Sequence, residues 1–151
     1  MYQRILVPLD GSATAERGLR EALRLAAEQK AKLHLLHVIE DFPMLMEMST
    51  AVSFDAMMRE VREYGENVLS KAQAAATAAG VTAETAVREV TRGRIATVVV
   101  DEARSSGCDL IVMGTHGRRG FNRLALGSDA DLVVRESPVP VLLVRDDPER
   151  S

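Results

Sequence analysis

Three glycines and a serine in the last third of the chain have spacing that suits an anion-binding loop. They are Gly114, Gly117, Gly127 and Ser128. Glycine permits positive φ and close approach of a ligand, and successive amides in such a turn form a concave site for an anion. A helix that begins at Ser128 would add unpaired N–H groups and a favourable dipole. The segment therefore predicts phosphate binding, with simple turn formation as the alternative.

Charged residues inside and after this loop affect what it could bind. Arg118, Arg119 and Arg123 lie between the glycines and supply positive charge. Asp129 follows Ser128, and a carboxylate ~4–6 Å from a phosphate costs ~1–3 kcal/mol at an effective dielectric constant near 20. A Mg²⁺ ion bound to the phosphates would reduce that cost. Alternatively, Asp129 only complements the dipole of the helix that it begins.

The loop is not one of the two most familiar phosphate motifs. No Gly-Lys-Ser/Thr follows its glycines, and they do not form Gly-x-Gly-x-x-Gly.

The apolar pattern alternates between strand-like and helix-like segments. It predicts strands at 5–7, 33–39, 81–87, 110–113 and 139–144. Helices are predicted after Ser12 with Leu19 to Ala26 at helical spacing, near 54–79 and 95–103, and from Ser128 to about Pro138. Alternation of this kind predicts an α/β fold with a doubly wound parallel sheet and helices on both faces. The alternation at Val81, Ala83, Thr85 and Val87 indicates a strand with one more exposed face. Ser12 is a candidate N-cap, and Gly80 suits the left-handed residue after a helix.

Ligands of open α/β sheets bind beyond the carboxyl ends of strands, where the strand order reverses. Two loops at such ends have suitable residues. One runs from Pro8 to Ser12 after the first strand, and the other begins at Gly114 after the fourth. Asp10 in the first loop either contacts a ligand or holds the turn that leads into the first helix.

Other titratable residues favour structural roles. His34 and His37 lie three apart on a strand, hence on opposite faces, and make a poor metal pair. Cys108 precedes an apolar strand and is expected to be a small packing residue. His116 in the glycine loop either touches a phosphate or is an exposed loop histidine. No metal site of protein ligands is expected.

Length and composition restrict the number of domains, the class of partner and the compartment. The chain of 151 residues fits one domain, 1–151, and is 46% hydrophobic. Its net charge of −3 argues against a general nucleic-acid binder. The N-terminus lacks the apolar stretch of a signal peptide, no apolar run is long enough to span a bilayer, and a single cysteine suits a reducing compartment. A cytoplasmic protein without membrane contact is therefore expected.

Four segments together carry a family resemblance. Gly114-x2-Gly117-x9-Gly127-Ser128 resembles the nucleotide-binding motif of the universal stress protein family. The segments 5–12, 109–114 and 137–144 resemble the family's first strand and turn, the strand entering the motif and the closing strand. The resemblance covers nearly the whole chain and is weakest at 41–60.

The resemblance implies a five-stranded sheet of order 3-2-1-4-5, which brings the Asp10 loop and the Gly114 loop to one crevice. It implies a homodimer, built through the C-terminal strand from Val139 to Val144, and a stress-related regulatory role rather than an enzymatic one. The implied ligand is an adenine nucleotide, with ATP favoured over AMP or ADP, and Mg²⁺ bound through the phosphates.

Carried over by position, the resemblance also implies roles for single residues. Pro8 and Asp10 would lie near the adenosine, Val38 would contact adenine through its backbone, and Met113 and Gly114 would line the ribose side. The phosphates would be held by the remaining set: Gly117, Arg118, Gly127, Ser128 and Asp129. The position of Asp129 is often small or apolar in the family, which makes tight triphosphate binding an open question.

Two alternatives remain open on the sequence. One is a slow ATP hydrolase that uses Asp129 with Arg118 or Arg119. The other is a dimeric interaction module that has lost nucleotide binding.

Overall fold

Strands and helices alternate along the chain, as the apolar pattern predicted. The structure, a computed structural model, describes residues 1–40, 51–116 and 126–146. Its strands are β1 (Arg4–Pro8), β2 (Lys32–Ile39), β3 (Ala83–Glu89), β4 (Leu110–Gly114) and β5 (Val141–Val144). Its described helices are α1 (Ala13–Gln29), α2 (Ala51–Ala78), α3 (Ile95–Ser105) and α4 (Ser128–Glu136).

The five strands form one parallel sheet in the order β3-β2-β1-β4-β5. The predicted fold class and strand order are confirmed. β1 lies at the centre, where Ile5 is in register with Leu33 of β2 on one side and Leu110 of β4 on the other. The chain therefore reverses its direction of winding between β1 and β4, which is where open α/β sheets bind ligands.

Helices cover both faces of the sheet, and each face has its own core. Alternate strand residues such as Ile5, Val7 and Leu35 pack with α1 and α2. Their neighbours, including Leu6 and Ile111, pack with α3 and α4. Because both faces are covered, β1 and β4 must be apolar at nearly every position, which explains their unbroken hydrophobic runs.

Short-range signals in the sequence set the helix ends. The Ser12 hydroxyl accepts a hydrogen bond from the Ala15 N–H at 3.2 Å and caps α1, as predicted. Gly80 follows α2 with φ +70°, a conformation that an L side chain strains. The inward face of α2 recurs at helical spacing and comprises Met58, Gly65, Leu69, Ala72 and Ala76. Val68 is half-buried and packs against the same core, and Val61 is half-buried.

The two edge strands differ from the prediction. β5 begins at Val141 rather than at 139, because the Ser137 hydroxyl holds Val139 in a turn and Pro140 has no N–H for the strand ladder. β3 begins at Ala83, and the predicted pattern of its faces is wrong in its second half. Ala86 is buried and Val87 is 36% exposed, because an edge strand has less cover on both faces. Three of the seven methionines, Met44, Met46 and Met48, lie outside the described residues.

Candidate functional site

A cavity of about 550 Å³ opens where the sheet reverses, at the carboxyl ends of β1 and β4. Most of the predicted site residues line it. They are Pro8, Asp10, Val38, Met113, Gly114, Gly127, Ser128 and Asp129. The tertiary structure thus brings together residues that lie more than 100 positions apart. Gly117 and Arg118, also predicted for this site, lie outside the described residues.

The loop between β1 and α1 forms one wall. Asp10 Oδ1 accepts a hydrogen bond from the Ser12 N–H at 2.9 Å, so the side chain holds the turn that leads into α1. The same residue lines the cavity. The structural role that the sequence left as an alternative is therefore present, and it fixes this carboxylate at the cavity wall.

Gly114 ends β4 beneath the first turn of α1. A Cβ at this position would lie 2.6 Å from Thr14 Cγ2 and 2.9 Å from the carbonyl carbon of Thr14. Both distances are too short for real atoms, and the second involves the backbone. The glycine is needed here so that α1 can cross the end of β4 closely, which is a different reason from ligand approach.

Gly127 plays a similar part at the start of α4. Its N–H donates to the Thr115 carbonyl oxygen at 2.8 Å, and a Cβ would lie 2.9 Å from that oxygen. The contact joins the end of β4 to the start of α4 across the segment 117–125. Gly127 therefore shapes the cavity, while its own N–H donates to Thr115 and is not available to a ligand.

The backbone N–H groups that follow Gly127 along the chain are suited to bind an anion in this cavity. The first intrahelical bond of α4 runs from the Asp131 N–H to the Gly127 carbonyl oxygen at 2.9 Å. The N–H groups of Ser128, Asp129 and Ala130 precede that bond and belong to the unpaired first turn. All three residues line the cavity, so the positive end of the helix dipole faces it.

The remaining lining has two characters. An apolar wall is formed by Leu36, Val38, Ile95, Val99, Met113 and Val133. The charged side chains among the described lining residues are carboxylates, namely Asp10, Glu40 and Asp129. His116 is half-buried at the rim, with its Nδ1 3.0 Å from the Thr115 hydroxyl. Such a site can enclose a flat apolar group and meet an anion with backbone amides.

Several lining residues were not predicted. Glu40 directly follows β2, so the rule that ligands bind at carboxyl ends of strands would have found it. Thr115 could have been found in the same way, because it follows β4. Ile95 and Val99 reach the cavity from α3, and only the packing of that helix against β2 brings them there.

The residues assigned structural roles behave accordingly. His34 Nε2 lies 2.8 Å from Glu102 Oε1 on the α3 side, whereas His37 Nδ1 lies 2.7 Å from the Leu9 carbonyl oxygen on the other. The prediction that the two histidines face opposite ways is confirmed. Cys108 is buried, and burial raises the pKa of its thiol. Within the described ranges, none of the helices is long and apolar enough to cross a bilayer.

Comparison with known proteins agrees with the observed fold. Residues 1–145 match the model of the universal stress protein family. Universal stress protein YxiE of Bacillus subtilis is 33% identical over 151 residues, spanning 96% of this chain and 100% of that protein. A universal stress protein family structure from Burkholderia pseudomallei is 34% identical with a TM-score of 0.75, covering 95% of this chain and 96% of its own.

A further solved structure, a universal stress protein in complex with cAMP, is 30% identical with a TM-score of 0.67. The alignment covers 95% of this chain and 97% of that one. The match over nearly the whole length, together with the agreement in fold, shows that this chain belongs to the universal stress protein family.

Proposed function

We propose that this protein binds an adenine nucleotide in the cavity between β1 and β4, with ATP as the first choice and AMP or ADP as the others. The observation that carries the proposal is the pairing of an apolar wall with the first turn of α4 in one cavity at the sheet reversal. The complex of a relative with cAMP supports an adenine nucleotide in particular.

The lining residues fit the parts of such a ligand. Val38 would meet the adenine through its backbone, and Pro8 and Asp10 would lie beside the adenosine. Met113 and Gly114 would border the ribose. The amides of Ser128 and Asp129 would bind the first phosphate, because helix N-termini favour negatively charged groups.

Gly127 would contribute by shaping the turn, and Gly117 and Arg118 would complete the phosphate end. Mg²⁺ would accompany a triphosphate, bound through its phosphate oxygens.

The role proposed for this binding is regulatory. Hydrolysis needs a group that orients water and charge that stabilises the transition state. Among the described lining residues, Asp129 is the carboxylate beside the phosphate end, and no cation accompanies it. Binding that alters the surface seen by other proteins of a stress response is therefore favoured over turnover. Slow hydrolysis remains the second candidate because Asp129 lies at the anion end.

We also propose a homodimer through the outer edge of β5. The two edges of the sheet differ in character, since β3 carries Glu84, Arg88 and Glu89 whereas β5 reads Val-Leu-Leu-Val. Charges on an edge strand discourage pairing, and an uncharged apolar edge favours it. Leu142 of β5 and Val134 of α4 are exposed large hydrophobic residues near that edge.

The cellular setting remains a proposal from the sequence. The chain is proposed to form a single domain over 1–151. A cytoplasmic location agrees with its one cysteine, which lies buried and unpaired. A net charge of −3 and the carboxylates of the cavity disfavour nucleic acid as the partner.

Isothermal titration of ATP and AMP, each with and without Mg²⁺, tests the proposed ligand. Val38→Trp should fill the adenine end and abolish measurable binding. Thr85→Trp is the matched control, because it adds the same ring at an exposed position of the neighbouring strand outside the cavity lining. Wild-type protein that binds neither nucleotide, or a Val38→Trp variant that binds normally, would overturn the proposal.

A further inference from the structure

Two consecutive carbonyl groups in the β1–α1 loop accept hydrogen bonds from side chains of other elements. The Leu9 carbonyl oxygen lies 2.7 Å from Nδ1 of His37 on β2. The Asp10 carbonyl oxygen accepts from the hydroxyl of Tyr64 on α2 at 3.0 Å. Both donors come from the side of the sheet away from the α3 face, whereas Leu9 and Asp10 line the nucleotide cavity.

The chemistry of the first contact fixes the state of the imidazole. A carbonyl oxygen can only accept, so His37 Nδ1 carries the proton and donates it. His37 is 6% exposed, and a buried carbonyl without this donor would lose its hydrogen bond with no water to replace it. The Leu9 N–H is fixed as well, because it donates to the Leu36 carbonyl oxygen at 2.8 Å.

Two glycines make room for the two rings. A Cβ on Gly65 would lie 2.5 Å from His37 Cδ2 and 3.0 Å from Nε2. A Cβ on Gly11, which has φ +83°, would overlap the Tyr64 hydroxyl. The rings meet edge to face with centroids 6.1 Å apart. The loop is therefore braced by two side chains in edge-to-face contact, of which His37 is buried and Tyr64 is 39% exposed.

The brace is adjacent to two walls of the cavity. Val38 follows His37 on β2 and points to the opposite face, into the lining, while the braced loop presents Asp10. Any shift of the Leu9–Asp10 carbonyls moves the Asp10 side chain relative to Val38. The first turn of α4, which meets the anion, lies on the other side of β1 and makes none of these contacts.

We propose that His37 and Tyr64 are positioning residues for the nucleoside end of the site, acting through the Leu9 and Asp10 carbonyl groups. This inference rests on the proposed nucleotide binding. Neither residue touches the ligand; both set the distance between Asp10 and the adenine wall. The phosphate end depends on α4 and is independent of them.

The test uses Tyr64→Phe, which removes only the hydroxyl, and Tyr2→Phe as a control at a half-buried tyrosine elsewhere in the fold. A second pair is His37→Leu and His37→Asn, because the Asn amide can place a donor where Nδ1 stood. Affinities for AMP and adenosine are measured by titration calorimetry, with thermal unfolding to show that each variant is folded.

Tyr64→Phe and His37→Leu should weaken AMP and adenosine by the same factor, roughly three- to tenfold, the size of one hydrogen bond. His37→Asn should recover most of the affinity, and Tyr2→Phe should match wild type. Folded variants that bind both ligands within twofold of wild type overturn this inference alone. Weakening of AMP without adenosine would place the effect at the phosphate end and also overturn it. Wild-type protein that binds no nucleotide overturns the proposed function, and this inference with it.

Discussion

Backbone contacts explain the glycines at the cavity. Gly114 has no room for a Cβ beneath Thr14, and Gly127 has none beside the Thr115 carbonyl oxygen. Both glycines allow main-chain segments to approach, and the cavity forms where those segments meet. A motif that suggests ligand contact can therefore be required first by packing, and ligand binding then uses the shape that results.

We expect Asp129 to set the preference among the proposed nucleotide ligands. Its carboxylate lies at the anion end, so removing its charge should strengthen binding of the more highly charged ligand. Without Mg²⁺, Asp129→Asn should tighten ATP at least about threefold, and AMP less, because repulsion grows with the charge brought close. With Mg²⁺ the gain should shrink or reverse if the carboxylate lies beside the ion. Titration calorimetry with and without EDTA measures both.

Asp131→Asn is the matched control for this charge. Asp131 lies in the same first turn of α4, pairs with Arg135 at 3.3 Å and does not line the cavity. Its removal tests the loss of helix-dipole complementarity, worth about 0.3–1 kcal/mol, without a change at the site. Equal ATP affinities for wild type and Asp129→Asn under every condition would contradict the repulsion argument.

Among the elements, α3 is joined to the sheet by a buried carboxylate. Glu102 Oε1 lies 2.8 Å from His34 Nε2 on β2, and Arg88 of β3 donates to both carboxylate oxygens, at 2.8 and 3.0 Å. Arg4 of β1 approaches His34 Nδ1 at 3.4 Å, and a guanidinium only donates. His34 thus links the two basic and acidic groups, with Nε2 facing the Glu102 carboxylate and Nδ1 facing the Arg4 guanidinium.

This cluster predicts acid sensitivity. Burial alone would raise the pKa of Glu102, but hydrogen bonds from His34 and Arg88 outweigh it and hold that pKa below its usual 4.5. A carboxyl whose pKa falls on folding stabilises the native state above its unfolded pKa, and the stabilisation disappears as pH falls through the folded value. The free energy of unfolding of wild type should therefore fall more steeply below about pH 4.5 than that of Glu102→Gln.

At pH 7, Glu102→Gln should cost about 1–3 kcal/mol, because the buried group that accepts from Arg88 and His34 becomes a weaker acceptor. Urea unfolding at pH 7, 5 and 3.5 measures both effects. Glu66→Gln is the control, since Glu66 is exposed on α2 and should change stability by less than about 0.5 kcal/mol. Parallel pH profiles for wild type and Glu102→Gln would show that the cluster contributes nothing to acid sensitivity.

At the scale of the whole molecule, the contrast between the two sheet edges predicts the oligomer. If β5 pairs with its copy, Leu142→Lys should place two like charges at the interface and shift the protein to monomer. Val87→Lys, at an exposed position of the β3 edge, should leave the dimer intact. Sedimentation velocity over a range of concentrations distinguishes the two. Wild type that sediments as a monomer at high concentration would contradict the dimer.

The sequence alone determined the type and order of the elements. Residues 110–113 form the most apolar run that suits a strand, Ser12 suits the N-cap of a helix, and alternation of the two periods predicts a parallel sheet. The motif residues indicated which strand ends carry the site, because that rule depends on topology rather than on detail. Family resemblance supplied the strand order and the ligand class.

Tertiary structure decided which atoms do what at the site. No local pattern shows that the Gly127 N–H donates to the Thr115 carbonyl oxygen. The same holds for the contacts of His37 and Tyr64 with the loop that carries Asp10, and for the position of Ile95 at the cavity. The starts of β3 and β5 and the burial along β3 also differed from the prediction, because they too depend on tertiary packing. Periodicity records the average burial along one element, whereas these contacts depend on the packing of segments distant in sequence, and only the folded chain fixes that packing.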